Sequence, residues 1–225
     1  MKQSKIGVLG GIGPEATGTF YLKLIKKLQS DGLIRENSDF PQIFINSIPA
    51  PELIFDKIEN TELEMYQQGL CELDKIKPDF IVMVCNTIHL FHEKLQSKVT
   101  TEIIDLRKVV HKKIKELKLS KVTIVGTPST ISLGLYKFEG INYLNPNKNE
   151  IKELSDAVFN FNKGIEKDLQ KKKVEKIVRK YLSKGSQVIL LACTEFAVML
   201  DFLKIPKLNT IDIMVEHVIE RFKMR

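Results

Sequence analysis

Apolar and polar positions along this chain fall into two alternating kinds of block. Short runs that are apolar almost throughout predict strands over residues 6–9, 42–48, 80–85, 122–125, 141–144, 187–192 and 208–211, with a further short one at 103–104. Continuous apolar runs of this length suit strands of a parallel sheet covered on both faces. Between them, apolar residues recur at helical spacing. Phe20, Tyr21, Leu24, Ile25 and Leu28 give one face after Pro14, and Leu63, Tyr66, Leu70 and Leu73 give another within 61–77. Further helical stretches are predicted over 109–117, from Pro146-Asn147 to about 184 in two pieces, and over 214–222. Proline at the first helical position and glycine before it mark the entry to the first helix.

Strands alternating with helices mean an α/β fold with parallel sheets. The pattern then runs twice. Each half reads strand, glycine or threonine turn, helix, strand, helix, and then a strand ending in cysteine and threonine: Cys85-Asn86-Thr87 and Cys193-Thr194. The expectation is two similar lobes, each a parallel sheet flanked by helices. Residues 1–118 with about 208–225 form the first and 119–207 the second. A cleft between them is the expected place for a small molecule.

Composition narrows the function classes. No apolar run approaches the ~20 residues that cross a bilayer. The start leads straight into a strand without a signal-peptide core, so the cytosol is the expected compartment. Three cysteines do not make a disulfide framework, and reduced thiols are expected. The formal net charge is +7, with much of the excess in residues 163–184. There Val174, Ile177, Val178, Tyr181 and Leu182 form one apolar stripe with lysines around it, which is a solvated helix face. Aromatic residues do not interleave with those lysines, so a nucleic-acid partner is not expected.

Gly11-Ile12-Gly13-Pro14-Glu15-Ala16 after a strand fits a dinucleotide fingerprint, but the ribose-binding acid after the second strand is missing from Ile45-Asn46-Ser47-Ile48. A glycine turn whose backbone N–H groups meet an anion such as a carboxylate is the better reading. Cys85 and Cys193 each stand at a strand end, before a helix start and beside hydroxyl or amide side chains. A helix N-terminus would draw the thiol pKa toward neutrality. Cys71, inside a helical pattern, reads as structural. Cys85 and His89 lack a fourth ligand for zinc. A Cys-His hydrolase would need one nucleophile, not two matched cysteines. Two facing thiols suit removal of a proton from one face of a carbon and its return to the other. The charge that develops would meet Asn86, Thr87, Thr194, Thr127, Ser129 and Thr130.

These motifs carry a resemblance. Residues 7–17, Cys85-Asn86-Thr87-Ile88-His89, Gly126-Thr127-Pro128-Ser129-Thr130 and Ala192-Cys193-Thr194-Glu195 occur in order over nearly the whole chain. The chain resembles the cofactor-independent aspartate/glutamate racemases, within the wider group that includes hydantoin racemases. The resemblance implies lobes related by pseudo-twofold symmetry, neither pyridoxal phosphate nor a metal, and a homodimer. It implies Cys85 and Cys193 as the acid/base pair. It also implies Gly11, Ile12, Asn86, Thr87, Thr127, Ser129, Thr130 and Thr194 around the substrate, with Lys163 toward a side-chain carboxylate.

Two departures stand out. The arginine that aspartate racemases often carry in a Pro-Asp-Arg segment is absent from Pro51-Glu52-Leu53, and Ala192 replaces a usual glycine. The expected function is racemisation of aspartate, glutamate or another amino acid. A non-catalytic amino-acid-binding protein, or an isomerase or decarboxylase of dicarboxylic acids, are the alternatives on the same scaffold.

Overall fold

The computed structural model describes residues 4–51 and 63–224. Position 53 and the first residues of the helix expected over 61–77 lie outside them. The first half contains β1 (Lys5–Gly10), α1 (Pro14–Ser30), β2 (Gln42–Ser47), α2 (Glu64–Lys75), β3 (Phe80–Met83), α3 (His92–Gln96) and α4 (Leu106–Glu116). The second contains β4 (Lys121–Gly126), α5 (Pro128–Ser132), β5 (Asn142–Tyr143), α6 (Lys148–Asn162), α7 (Lys167–Ser183), β6 (Val188–Ala192), α8 (Thr194–Met199), β7 (Lys207–Asn209) and α9 (Thr210–Lys223).

The two sheets repeat one topology. The first has the order β2-β1-β3 and the second β5-β4-β6-β7, with every pairing parallel. Where β7 stands in the second sheet, the first has a single bridge between Ile81 and Ile103. The strand expected at 103–104 gets no further. Asp105 already caps α4, its carboxylate accepting from the Arg107 N–H, and the chain turns into the helix. Asn209 caps α9 at the matching place.

Alternation along the strands sorts the core into layers. Ile6, Val8, Phe80 and Val82 from the first sheet join Val122, Ile124, Val188 and Leu190 from the second in one apolar layer, completed by α1, α4 and α9. The alternate residues face outward. Leu9, Ile81 and Met83 meet α2 through Tyr66, Leu70 and Leu73. Val125, Ile189 and Leu191 meet α6 and α7 through Leu154, Phe161 and Val178. The central layer is shared, so each sheet's position fixes the other's. The closing segment belongs to both halves: β7 completes the second sheet, while α9 packs on α1 and α4.

On α1, Phe20, Leu24 and Leu28 are buried as expected, but Tyr21 is 39% exposed. It lies one position past the buried i, i+4, i+8 row, about 100° around the helix. On α7, Leu182 is likewise only half-buried beside its buried neighbour Tyr181. Among the described residues, no helix is long and apolar enough to cross a membrane.

Candidate functional site

Cys85 lies two residues beyond β3, and Cys193 directly follows β6 as the residue before α8. β3 is the last strand of its sheet and β6 an inner strand of the other, and both cysteines stand at the carboxyl edge, where open α/β sheets bind ligands. They line one cleft of about 230 Å³. Gly11, Ile12, Gly13 and Pro14 from the turn before α1, Ala50, Thr87, Thr127, Val158, Asn162 and Glu195 complete its lining. This volume lies below the ~300–1,000 Å³ of drug-sized sites and suits one small metabolite.

The glycine turn is held closely. Gly11 and Gly13 have φ of 85° and 86°, in the left-handed region. A Cβ on Gly11 would lie 2.2 Å from the Ile48 carbonyl oxygen, and one on Gly13 would lie 2.3 Å from Glu195 Oε1. Only glycine meets both demands. The Gly11 N–H donates to Thr17 Oγ1 at 3.0 Å, tying the turn to the first helical turn.

Facing it, three threonines form a buried hydroxyl triangle. Thr87 Oγ1 is 3.3 Å from Thr127 Oγ1 and 3.1 Å from Thr130 Oγ1, and Thr127 and Thr130 are 3.0 Å apart. Thr87 comes from the first half and the other two from the second, so the triangle joins the two cleft walls. The Thr127 side chain also accepts from the Thr130 N–H and caps α5. Asn86 turns away from the cleft. Its amide donates to Thr210 Oγ1 at 3.0 Å, and its carbonyl oxygen accepts from the buried Tyr136 hydroxyl. Thr210 donates in turn to the Leu191 carbonyl, 2.9 Å away. Asn86 thus couples the Cys85 loop to β6.

The thiols themselves depart from expectation. Burial pushes Cys85 up to about 12, and the Glu195 charge adds to it against N–H donation from Ile88 and Thr87. Burial also lifts Cys193 well above its ordinary value, helped by the Glu195 charge and by the hydrogen bond to Glu195. The helix N-termini expected to lower both are outweighed. Six residues of α8 and the 3-10 turn over Thr87–Phe91 offer small dipoles, whereas desolvation acts fully on a buried thiolate. Both cysteines are therefore held as neutral thiols.

Glu195 is the residue that the motif reading passed over. The Cys193 thiol donates to Glu195 Oε2 at 2.8 Å, Thr194 Oγ1 donates to the same oxygen at 3.1 Å, and Asn162 Nδ2 donates to Oε1 at 3.4 Å. An acid two residues after a strand-end cysteine was the available signal. Val158 and Asn162 were also missed. They are one turn apart on α6, and only the fold brings that helix to the cleft.

Of the other expected residues, Ser129, Thr130 and Thr194 are buried behind the cleft surface. Lys163 is the clearest difference. It closes α6, exposed, with its ammonium 3.8 Å over the Phe159 ring. The cleft takes residues 158 and 162 of that helix, and 163 shares the neighbouring face with 159. His89 is fully buried, with its ring between the Met83 carbonyl and the Leu106 N–H, in a packing role. Cys71 on α2 is half-buried, 3.8 Å from the Lys98 carbonyl.

Comparison with known proteins identifies the family and the fold. The family model described as Asp/Glu/Hydantoin racemase matches residues 9–218. The broad specificity amino-acid racemase RacX of Bacillus subtilis (strain 168) is 30% identical over 135 residues, covering 59% of this chain and 58% of that protein. The match thus spans little more than half of that relative's length. In fold, the chain is similar to the Picrophilus torridus aspartate racemase, with a TM-score of 0.80, 21% identity and coverage of 98% of this chain and 94% of that one. It is also similar to an aspartate racemase homologue from Pyrococcus horikoshii OT3, with a TM-score of 0.75, 23% identity and coverage of 98% and 100%.

Proposed function

The chain belongs to the Asp/Glu/hydantoin racemase family, and on that premise we propose that it is an amino-acid racemase that needs no cofactor and works by proton transfer at Cα between Cys85 and Cys193. The observation that carries this reading is that two thiols, at matched ends of two sheets of one topology, line a single cleft of amino-acid size. The name of the RacX relative, a broad-specificity amino-acid racemase, supports the same activity.

The chemistry begins with neutral thiols, so one must first be ionised. Glu195 takes the Cys193 proton across the 2.8 Å hydrogen bond, leaving a thiolate. Bound substrate displaces water and brings its α-ammonium group, whose positive charge favours the thiolate. The Cys193 thiolate removes the Cα proton from one face. The Cys85 thiol delivers its own proton to the opposite face. The product leaves Cys193 as thiol and Cys85 as thiolate, and the reverse reaction starts from that state. One proton leaves the carbon and one arrives, and between turnovers in the same direction the proton held on Glu195 is returned through solvent to the Cys85 thiolate, which restores the starting state.

The charge that builds on the substrate carboxylate meets the Thr87 and Thr127 hydroxyls and the backbone N–H groups of the glycine turn. Thr130 holds the other two hydroxyls in place. A homodimer belongs to the same proposal. The exposed Tyr21, next to Phe40, Pro41 and Ile43, offers apolar surface to a second copy, and light scattering that finds only monomer removes that part.

The test is incubation of the protein with a panel of L-amino acids in deuterated water, followed by chiral chromatography and mass spectrometry. The expected result is a D-product carrying one α-deuterium, formed in a preparation stripped of pyridoxal phosphate and treated with chelator. Inversion that requires either addition contradicts the mechanism. Binding without exchange favours a non-catalytic amino-acid-binding protein.

A further inference from the structure

The cleft lining divides chemically, and the division bears on which amino acids enter. Thr87, Thr127, the two thiols and the glycine-turn backbone serve the substituents of Cα. What remains for a side chain is Ile12, Pro14, Ala50, Val158, Asn162 and the Glu195 carboxylate. Ile12 packs in the apolar cluster that contains Cys85, and Val158 in the one that contains Cys193. The two apolar side chains therefore reach the cleft from opposite halves of the chain.

Charge sharpens the point. The lining carries one carboxylate, Glu195, and among the described residues no lysine or arginine. The two nearest lysines in sequence to Asn162 are engaged elsewhere. Lys163 stacks on Phe159. Lys167 pairs with the Glu15 carboxylate and stands 4.3 Å over the Phe161 ring. A substrate side-chain carboxylate would thus enter beside Glu195 and against aliphatic walls. Burying a second anion without a cation is costly, whereas burying a methyl or methylene against such walls is favourable.

We propose that the substrates of this cleft are amino acids with uncharged, chiefly aliphatic side chains, such as alanine, leucine and methionine, and that Val158 and Ala50 set the size that fits. The proposal rests on the racemase reading for its chemistry and on the lining for its selectivity, and the two separate experimentally.

On the intact protein, α-deuterium exchange is measured by NMR for L-alanine, L-leucine, L-methionine, L-aspartate and L-glutamate, with ligand-induced shifts in Tm recorded alongside. At least one of the three uncharged amino acids should exchange with a kcat/KM ten or more times that of aspartate and glutamate. Aspartate or glutamate within tenfold of the best substrate overturns the inference and leaves racemisation standing. If none exchanges, racemisation falls and binding decides. A Tm raised by leucine and not by aspartate upholds the substrate class, and a Tm raised by aspartate, or by none of the five, overturns it. Val158→Phe should lower the leucine-to-alanine ratio of kcat/KM at least fivefold, and Val158→Ala should raise it. Ratios unchanged in both variants remove Val158 from the role.

Discussion

The Cys193 thiol donates to the Glu195 carboxylate at 2.8 Å, and the residue in the same place two positions past Cys85 is Thr87, a hydroxyl. Two halves of like topology thus present unlike partners to their sulfurs. One thiol has an acceptor for its proton, and the other has a hydroxyl that belongs to the threonine triangle. In the proposed mechanism the asymmetry gives Cys193 a carboxylate to receive its proton, although the charge on that carboxylate opposes ionisation until substrate arrives.

Glu195→Gln keeps the shape and the hydrogen-bonding capacity but removes the proton acceptor. It should lower kcat about 10²–10⁴-fold, the usual range for loss of general acid–base assistance. The activity that remains should rise with pH as hydroxide replaces the missing base. A pH–rate profile of wild type and variant checks this, with urea melts confirming an intact fold. A variant with wild-type kcat would take Glu195 out of the mechanism.

Gly13→Ala places a methyl 2.3 Å from Glu195 Oε1 at a residue with φ of 86°. The left-handed conformation alone costs about 1–2 kcal/mol for a non-glycine residue. The expected outcome is a lower midpoint in chemical denaturation and a larger loss of activity than the stability change explains, because the carboxylate beside Cys193 must move. Equal activity per folded molecule would contradict the close approach.

Buried thiols tie stability to pH on the alkaline side. In the unfolded chain each thiol ionises near its ordinary value of 9.0, whereas in the fold Cys85 does so at about 12 and Cys193 well above its ordinary value. The folded chain keeps protons that the unfolded chain releases. Stability from these groups is therefore fully present below pH 9 and is lost as pH rises toward the folded values, at about 1.4 kcal/mol per pH unit for each thiol. Urea melts of wild type and Cys85→Ser between about pH 8 and about pH 11 should differ in slope by that amount. Parallel profiles would mean that Cys85 is not desolvated.

The shared apolar layer joins the two sheets through α9. Met214, 3% exposed on that helix, should cost about 2–5 kcal/mol on truncation to alanine. Because the same layer sets both cleft walls, the variant should also lose racemisation before it unfolds. Denaturation followed by tryptophan-free probes such as circular dichroism, with activity read in parallel, separates the two effects.

Much of this architecture is written in the chain's periodicities. The apolar runs at 80–85 and 187–192 give β3 and β6 with a cysteine at the end of each, because strands covered on both faces leave a continuous apolar signal. Pro14 and Asn147 mark helix starts by local chemistry. Other features depend on partners far along the chain. Tyr21 fits the apolar spacing of α1 yet faces outward, because only tertiary packing decides how wide the buried stripe is. The strand at 103–104 is reduced to one bridge because the Asp105 cap competes for the same residues. Val158 and Asn162 reach the cleft, and Lys163 does not, through the rotation of α6 about its axis. The thiol pKa values rise where the helix starts suggest a fall, for a similar reason. Sequence displays the helix start that follows each cysteine, but burial and the Glu195 carboxylate act through the fold.

The most direct measurement of the central claim is racemisation by Cys85→Ala and Cys193→Ala, each assayed separately for inversion in deuterated water with folding verified by circular dichroism. The account predicts that each single variant loses inversion by at least about three orders of magnitude, because each face of Cα has one proton carrier. Inversion at the wild-type rate by either variant would contradict it.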